Sequence, residues 1–206
     1  MYVRDAKNRD EVWLLDRIEE MGLDDTAFRS RDYVIAVDED SSSKAGFGRI
    51  RLHATDEGDR KQSGRREVEV AEDVCELTSI GVLESWREQG VGAHVVERLI
   101  EYARDKGFET VYALTDRGGY LAQFGFTAIS EDDLPPVLQE RLSEKREETA
   151  PKAKPMKLRV GQFRMPDRLR ERFKQAAKAE VVPDEVSPED FGIDSEKATY
   201  KYDTGS

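Results

Sequence analysis

Residues 75–115 read CELTSIGVLESWREQGVGAHVVERLIEYARDKGFETVYALT, and the fold turns on them. The run from Cys75 to Leu83 is apolar and rich in strand formers. A polar connection follows, with glycines at 90 and 92. Val91, Val95, Leu99 and the pair Tyr102/Ala103 then fall on one apolar stripe of a helix that runs to about Lys106, where Gly107 stops it. Residues 110–115, TVYALT, are a second strand. Strand, helix and strand in this order form a βαβ unit, whose strands pair in parallel through a right-handed crossover.

Working outward, residues 2–6 are a short strand and residues 8–22 a helix closed by Gly22. A second, shorter helix is expected within 24–32. Residues 33–40 and 44–54 are strands joined as a hairpin across DEDSSSKAG. Polar residues 55–65 are expected as an exposed loop, and 66–74 as an extension of the sheet. Downstream, 116–126 is a short helix closed by Gly125, 126–130 a last core strand, and the stretch from Pro135 and Pro136 onward a helix started by proline. The fold class expected is α+β with an α/β character: a mixed, mostly antiparallel sheet with one crossover and flanking helices. Residues 1–147 are expected to form the main domain, and TAPKAKP at 149–155 marks a linker over 148–156. Residues 157–206 are expected as a strand-helix-strand extension that packs on that domain or on a partner.

Composition narrows the function. The chain has 206 residues and no apolar run near the roughly 20 needed to span a bilayer. Its first residues, MYVRDAKNRDEVW, lack the apolar stretch of a signal peptide, so a cytoplasmic protein without membrane contact is expected. Cys75 is the single cysteine, which excludes an intrachain disulfide, and its apolar setting reads as a small core residue rather than a nucleophile. Histidine occurs only at 53 and 94, no metal-ligand spacing is present, and no metal is expected. The net charge of −11 argues against nucleic acid as a partner. It suits a salt-adapted, halophilic source better than steering of a basic substrate, because the acidic residues are spread along the chain. Residues 151–178 carry ten Lys/Arg against two Asp/Glu, a basic stretch expected to dock on the acidic body.

The glycine pair admits two readings. It makes a tight strand-to-helix turn, and it also bares backbone N–H groups at a helix start, where an anion can sit. The phosphate loop G-x-x-x-x-G-K-[ST] is absent. The third glycine of G-x-G-x-x-G would fall on Val95, so the dinucleotide fingerprint fails. What is present is R-x-x-G-x-G, from Arg87 to Gly92, after a strand and before a helix.

With YLAQFGF at 120–126 behind it, the 75–115 segment resembles the GNAT superfamily of acyl-CoA-dependent N-acetyltransferases. It is most similar to amino-acid acetyltransferases of the N-acetylglutamate synthase type. CELTSIGV, LTDR and FGFTAISEDDLP carry that likeness. The resemblance implies acetyl-CoA as cosubstrate, with its pyrophosphate on the loop of Arg87, Glu88, Gln89, Gly90, Val91 and Gly92. It implies pantetheine pairing along the backbone of Ile80, Gly81 and Val82, and an oxyanion held near the Val82 N–H. It places Glu76 where a glutamate base often stands, with a substrate-orienting role as the alternative. The tyrosine that protonates the leaving thiolate in the superfamily would fall on Leu121, and Tyr120 stands one residue earlier. VLESW also departs from the proline-containing turn common there.

The function implied is transfer of an acetyl group to a small-molecule primary amine, an amino acid being favoured, by direct attack. A homodimer is compatible with this reading. The alternative is a non-catalytic CoA-binding or protein-interaction module with a basic C-terminal docking arm.

Overall fold

A computed structural model describes residues 1–54 and 73–176. The expectations for 55–65, for 66–72 and for the strand near 197–205 lie outside these residues. The elements are β1 (Tyr2–Asp5), α1 (Glu11–Glu20), β2 (Tyr33–Val37), β3 (Lys44–His53), β4 (Val74–Val82), α2 (Val91–Asp105) and β5 (Thr110–Thr115). They continue with α3 (Gly118–Ala122), β6 (Thr127–Ala128), α4 (Pro136–Glu148), β7 (Lys154–Arg159) and α5 (Asp167–Ala176).

Among the described residues, seven strands form one sheet in the order β1-β2-β3-β4-β5-β7-β6. Only β4 and β5 run parallel, as the βαβ reading requires, and every other neighbouring pair is antiparallel. The expected fold class is what forms.

Each face of the sheet has its own cover. The stripe of α2 (Val91, Val95, Leu99, Ala103) is buried against Ile50, Cys75, Leu77 and Val111, together with Leu169 and Phe173 of α5. On the other face, Leu14 and Ile18 of α1 pack on Tyr33, Ile35 and Phe47. Leu138 and Leu142 of α4 pack there on Val74 and Leu114. The buried face of α4 also carries Arg141 and Lys145, four residues apart, so that helix shows little amphipathic contrast in sequence.

Cys75 is buried, and burial pushes its thiol up to about 12. We expect no reaction with a thiol reagent such as 5,5′-dithiobis(2-nitrobenzoate) in the native protein and full reaction in denaturant. Fast native labelling would show that β4 opens locally.

Two expectations are corrected. No α-helix forms over 24–32, where a single 3-10 turn at Ser30–Asp32 is the helical structure present. The Asp24 carboxylate accepts from the Thr26 N–H at 3.0 Å, Ala27 takes a left-handed conformation, and Arg49 donates to the carbonyls of Thr26 (2.9 Å) and Ala27 (2.6 Å). These carbonyls are drawn to Arg49 instead of into a helix. The stretch 148–156 is not simply a linker either: Lys154 begins β7, which lies inside the sheet between β5 and β6. Sheet register overrides the Pro/Ala/Lys composition there, because β7 supplies the antiparallel partner that β5 otherwise lacks. The basic stretch is thereby largely absorbed into the fold, as β7 and as a helix packed on α2.

Candidate active site

The site begins with a fault in β4. Phe47 pairs with Gly81 and Arg49 with Thr78, so Gly48 faces both Ser79 and Ile80. This one-residue bulge is marked by Ser79, which has φ of 49°. Its hydroxyl donates to the Asp24 carbonyl at 2.6 Å, which holds the bulge in place. Below the bulge β4 pairs with β5 at Glu76↔Tyr112 and Leu77↔Ala113. Above it the pairing stops, and the backbone from Ile80 to Val82 faces a gap in the sheet.

The connection to α2 closes over the top of this gap. Trp86 is buried and ties the turn down, while Gln89 donates to the Ser85 carbonyl at 2.8 Å. Arg87 reaches back to the Val82 carbonyl at 3.4 Å. Gly90 caps α2 with φ of 80°, and its carbonyl accepts from the N–H groups of Ala93 and His94. The N–H groups of Val91 and Gly92, at the first turn, have no acceptor within the helix. Both glycines are places where a side chain does not fit. A Cβ on Gly90 would lie 2.3 Å from the Leu169 carbonyl oxygen, and one on Gly92 would lie 2.8 Å from the Tyr120 hydroxyl. Tyr120 therefore stands across the gap from the start of α2, and burial pushes its phenol up to about 12. Leu121, at the superfamily position, is buried in the core.

Beneath the bulge lies a buried charge cluster. Glu76 is wholly buried. Its Oε2 lies 2.8 Å from His53 Nε2 and 3.9 Å from Arg141 Nε, and its Oε1 lies 3.6 Å from Lys145 Nζ. Burial alone would raise the Glu76 carboxyl, but the His53 hydrogen bond and the Lys145 charge prevail and hold it below its ordinary value. Burial lowers Lys145, with Glu76 acting against it, and Lys145 donates to the Thr78 hydroxyl at 3.0 Å. Arg141 pairs also with Asp24, the residue whose carbonyl holds Ser79. One network thus ties the cluster to the bulge.

A cavity of about 320 Å³ opens beside it, lined by Arg29, Asp32, Arg49, Arg51, His53 and Val137 among others. Arg51 has a buried Nη1 with no hydrogen-bond partner among the described residues.

The family of acetyltransferases named GNAT matches residues 3–126, more than half of the chain. The chain belongs to the acetyltransferase (GNAT) family. Among curated proteins none matches closely enough to serve as a relative.

Solved structures share the fold. N-acetylglutamate synthase from Neisseria gonorrhoeae, complexed with coenzyme A and N-acetyl-glutamate, superposes with a TM-score of 0.57 at 19% identity. The match covers 77% of this chain and 34% of that one, so this acetyltransferase spans about a third of the gonococcal enzyme. Rv2747 from Mycobacterium tuberculosis, in complex with CoA and NLQ, gives 0.59 at 18% identity, covering 77% and 99%. Chaetomium thermophilum Naa20 with a bisubstrate analogue gives 0.51 at 14%, covering 79% and 88%.

In this acetyltransferase Ile80, Gly81, Val82 and the loop from Arg87 to Gly92 come together at one end of the gap with Tyr120. Glu76 is in the same strand but sealed beneath the bulge. Sequence reasoning missed His53, Arg51, Arg141 and Lys145. The signal for the first two was the run RIRLH, in which Arg49, Arg51 and His53 alternate with apolar residues on one strand face. The signal for Arg141 and Lys145 was their four-residue spacing on one helix face, which could not be read without knowing what that face covers.

Proposed function

We propose that the protein transfers the acetyl group of acetyl-CoA to the primary amine of a small acceptor that also carries an anionic group, an amino acid being the simplest. The observation that carries this reading is the bulge at Ser79, which opens β4 from β5 directly below the first N–H groups of α2, which have no acceptor within the helix. A pyrophosphate has two features that such a place suits: negative charge for the helix start and a need for several donors close to backbone. The bare Cα of Gly92 gives it room. The free backbone of Ile80 to Val82 offers the pantetheine amides a strand to pair with. The ligands of the gonococcal and mycobacterial structures support this choice of cosubstrate and of an amino-acid acceptor.

The acceptor enters through the cavity on the α4 face, where Arg51 presents a guanidinium nitrogen that has no partner among the described residues to a carboxylate. Its amine must lose a proton before it attacks the thioester carbon. Glu76 is too enclosed to meet it directly. As an ionised carboxylate it accepts from His53 Nε2–H, which leaves Nδ1 as the basic nitrogen on the ring. His53 therefore takes the proton and Glu76 orients it. The collapsing intermediate releases the thiolate, and the N–H near Val82 stabilises its oxyanion. Tyr120, whose hydroxyl stands beside the start of α2, donates a hydrogen bond to the departing sulfur.

The test is release of free thiol from acetyl-CoA with a panel of glutamate, glutamine, a polyamine and a peptide amine. Amino acids are expected to turn over. Arg51→Ala should raise the KM for a carboxylate-bearing acceptor by about tenfold or more with a smaller effect on kcat. Binding of acetyl-CoA without thiol release from any amine would instead favour a CoA-binding module.

A further inference from the structure

The C-terminal helix α5 lies directly on the loop assigned to the pyrophosphate. The closeness is built in at Gly90, where the absent Cβ would collide with the Leu169 carbonyl and approach the Phe173 N–H to 3.0 Å. Phe173 stacks on His94, in the second turn of α2, with ring centroids 3.7 Å apart. Burial holds His94 down to about 4, so at neutral pH this is an uncharged contact. Leu169, Phe173 and Ala176 face the core, which fixes the rotation of the helix.

That rotation sorts its cations into two flanks. Arg170, on one side, is neutralised by Glu97 at 2.8 Å. Arg168 and Arg172, four residues apart on the other side, bind only neutral oxygens among the described residues. Arg172 donates to the Glu88 carbonyl at 3.2 Å, within the loop, and Arg168 to the Gln123 amide oxygen at 2.8 Å, just past α3. The pair spans the mouth of the gap from its loop side to its α3 side. Arg87, whose recorded partner is the Val82 carbonyl, completes a group of three arginines with no carboxylate within 4 Å among the described residues. In a chain of net charge −11 this is an uncommon concentration of cations without a carboxylate partner among the described residues.

We infer that α5 forms the outer wall of the acetyl-CoA site and that Arg168 and Arg172 bind the phosphates of the cosubstrate as it leaves the gap. This rests on the acetyl-CoA reading above. An arginine held on a neutral oxygen exchanges that bond for a charge-assisted one to a phosphate, which is shorter and stronger. The packing at Gly90 fixes the helix so that both side chains need only rotate to reach the ligand.

The experiment is calorimetric titration of the full chain with coenzyme A and with acetyl-pantetheine, which lacks the phosphates. Arg168→Glu/Arg172→Glu should weaken coenzyme A by about tenfold or more at low salt, with the difference shrinking as salt rises, and leave acetyl-pantetheine unchanged. Arg168→Gln/Arg172→Gln should show a smaller loss in the same direction. Arg170→Gln, on the opposite flank, should leave the affinity for coenzyme A as it was. Unaltered coenzyme A affinity in the Glu variant, with the wild type binding normally, overturns the role of α5 and leaves the acetyl-CoA site standing. Tighter binding in the variant overturns it too, since α5 would then be a plug. A wild-type chain that binds no coenzyme A overturns both readings.

Discussion

Gly92→Glu is expected to weaken acetyl-CoA binding by about a hundredfold or more, ~2.8 kcal/mol, while the protein stays folded. The physical reason is double. The new Cβ would stand 2.8 Å from the Tyr120 hydroxyl and 3.2 Å from Val82 Cγ2, so a side chain fills the space between α2 and α3. The carboxylate then sits at the positive end of α2, where it competes with the phosphates for the free N–H groups. The atom displaced first is the tip of a side chain that is more than a third exposed, and Tyr120 can swing away. Gly90 is a poorer probe of the same site, because there the collision is with backbone and the left-handed conformation adds strain. Isothermal calorimetry for affinity and circular dichroism for folding decide the matter. Unchanged affinity in a folded Gly92→Glu protein would remove the loop from the cosubstrate site.

Glu76→Ala is expected to cost about 3–5 kcal/mol of stability, because it leaves Lys145 and Arg141 buried without their shared carboxylate. Glu76→Gln keeps the shape and should cost less, yet it should lower kcat strongly, since a neutral amide no longer steadies a protonated His53. The same carboxylate makes stability depend on pH. Its folded pKa lies below the ordinary 4.5, so its contribution is fully present above about that pH and is lost as pH falls through the folded value. Acid unfolding of the wild type should therefore include a loss below about pH 4.5 that is missing from Glu76→Gln. Chemical denaturation at several pH values measures it. Equal stability of Glu76→Ala and wild type at neutral pH would show that the cluster is not held together by this group.

The substitution pair also separates two roles that sequence position cannot. A glutamate acting as the direct base needs access to solvent, and Glu76 is wholly buried. An orienting glutamate needs a histidine, and His53 sits 2.8 Å away on the neighbouring strand, 23 residues earlier in the chain. Nothing in the spacing of 53 and 76 announces that contact. It depends on the antiparallel register of β3 with β4, which pairs Arg51 with Glu76 and brings His53 alongside.

What could be read from the chain and what could not divide along the same line. The crossover unit was legible because its information is local: the α2 stripe repeats with the helical period, and glycines at 90 and 107 mark its ends. The tight turn into α2 was legible for that reason too, since R-x-x-G-x-G places Gly90 and Gly92 within one turn. The missing helix over 24–32 was not, because a buried arginine from β3 takes the carbonyls that a helix would use. Nor was the place of β7, since a six-residue strand after a short connection carries no mark of which strand will receive it.

By itself, then, the sequence determined the central strand-helix-strand unit, its parallel pair and the glycine turn that opens α2. Each of these follows from periodicity and from backbone geometry within a few residues of one another. Tertiary structure decided the rest: that Ser79 bulges, that Glu76 lies sealed among His53, Arg141 and Lys145, and that α5 lies on Gly90. These are contacts between residues tens of positions apart. Their energy comes from burying charge and apolar surface together, which no local pattern encodes.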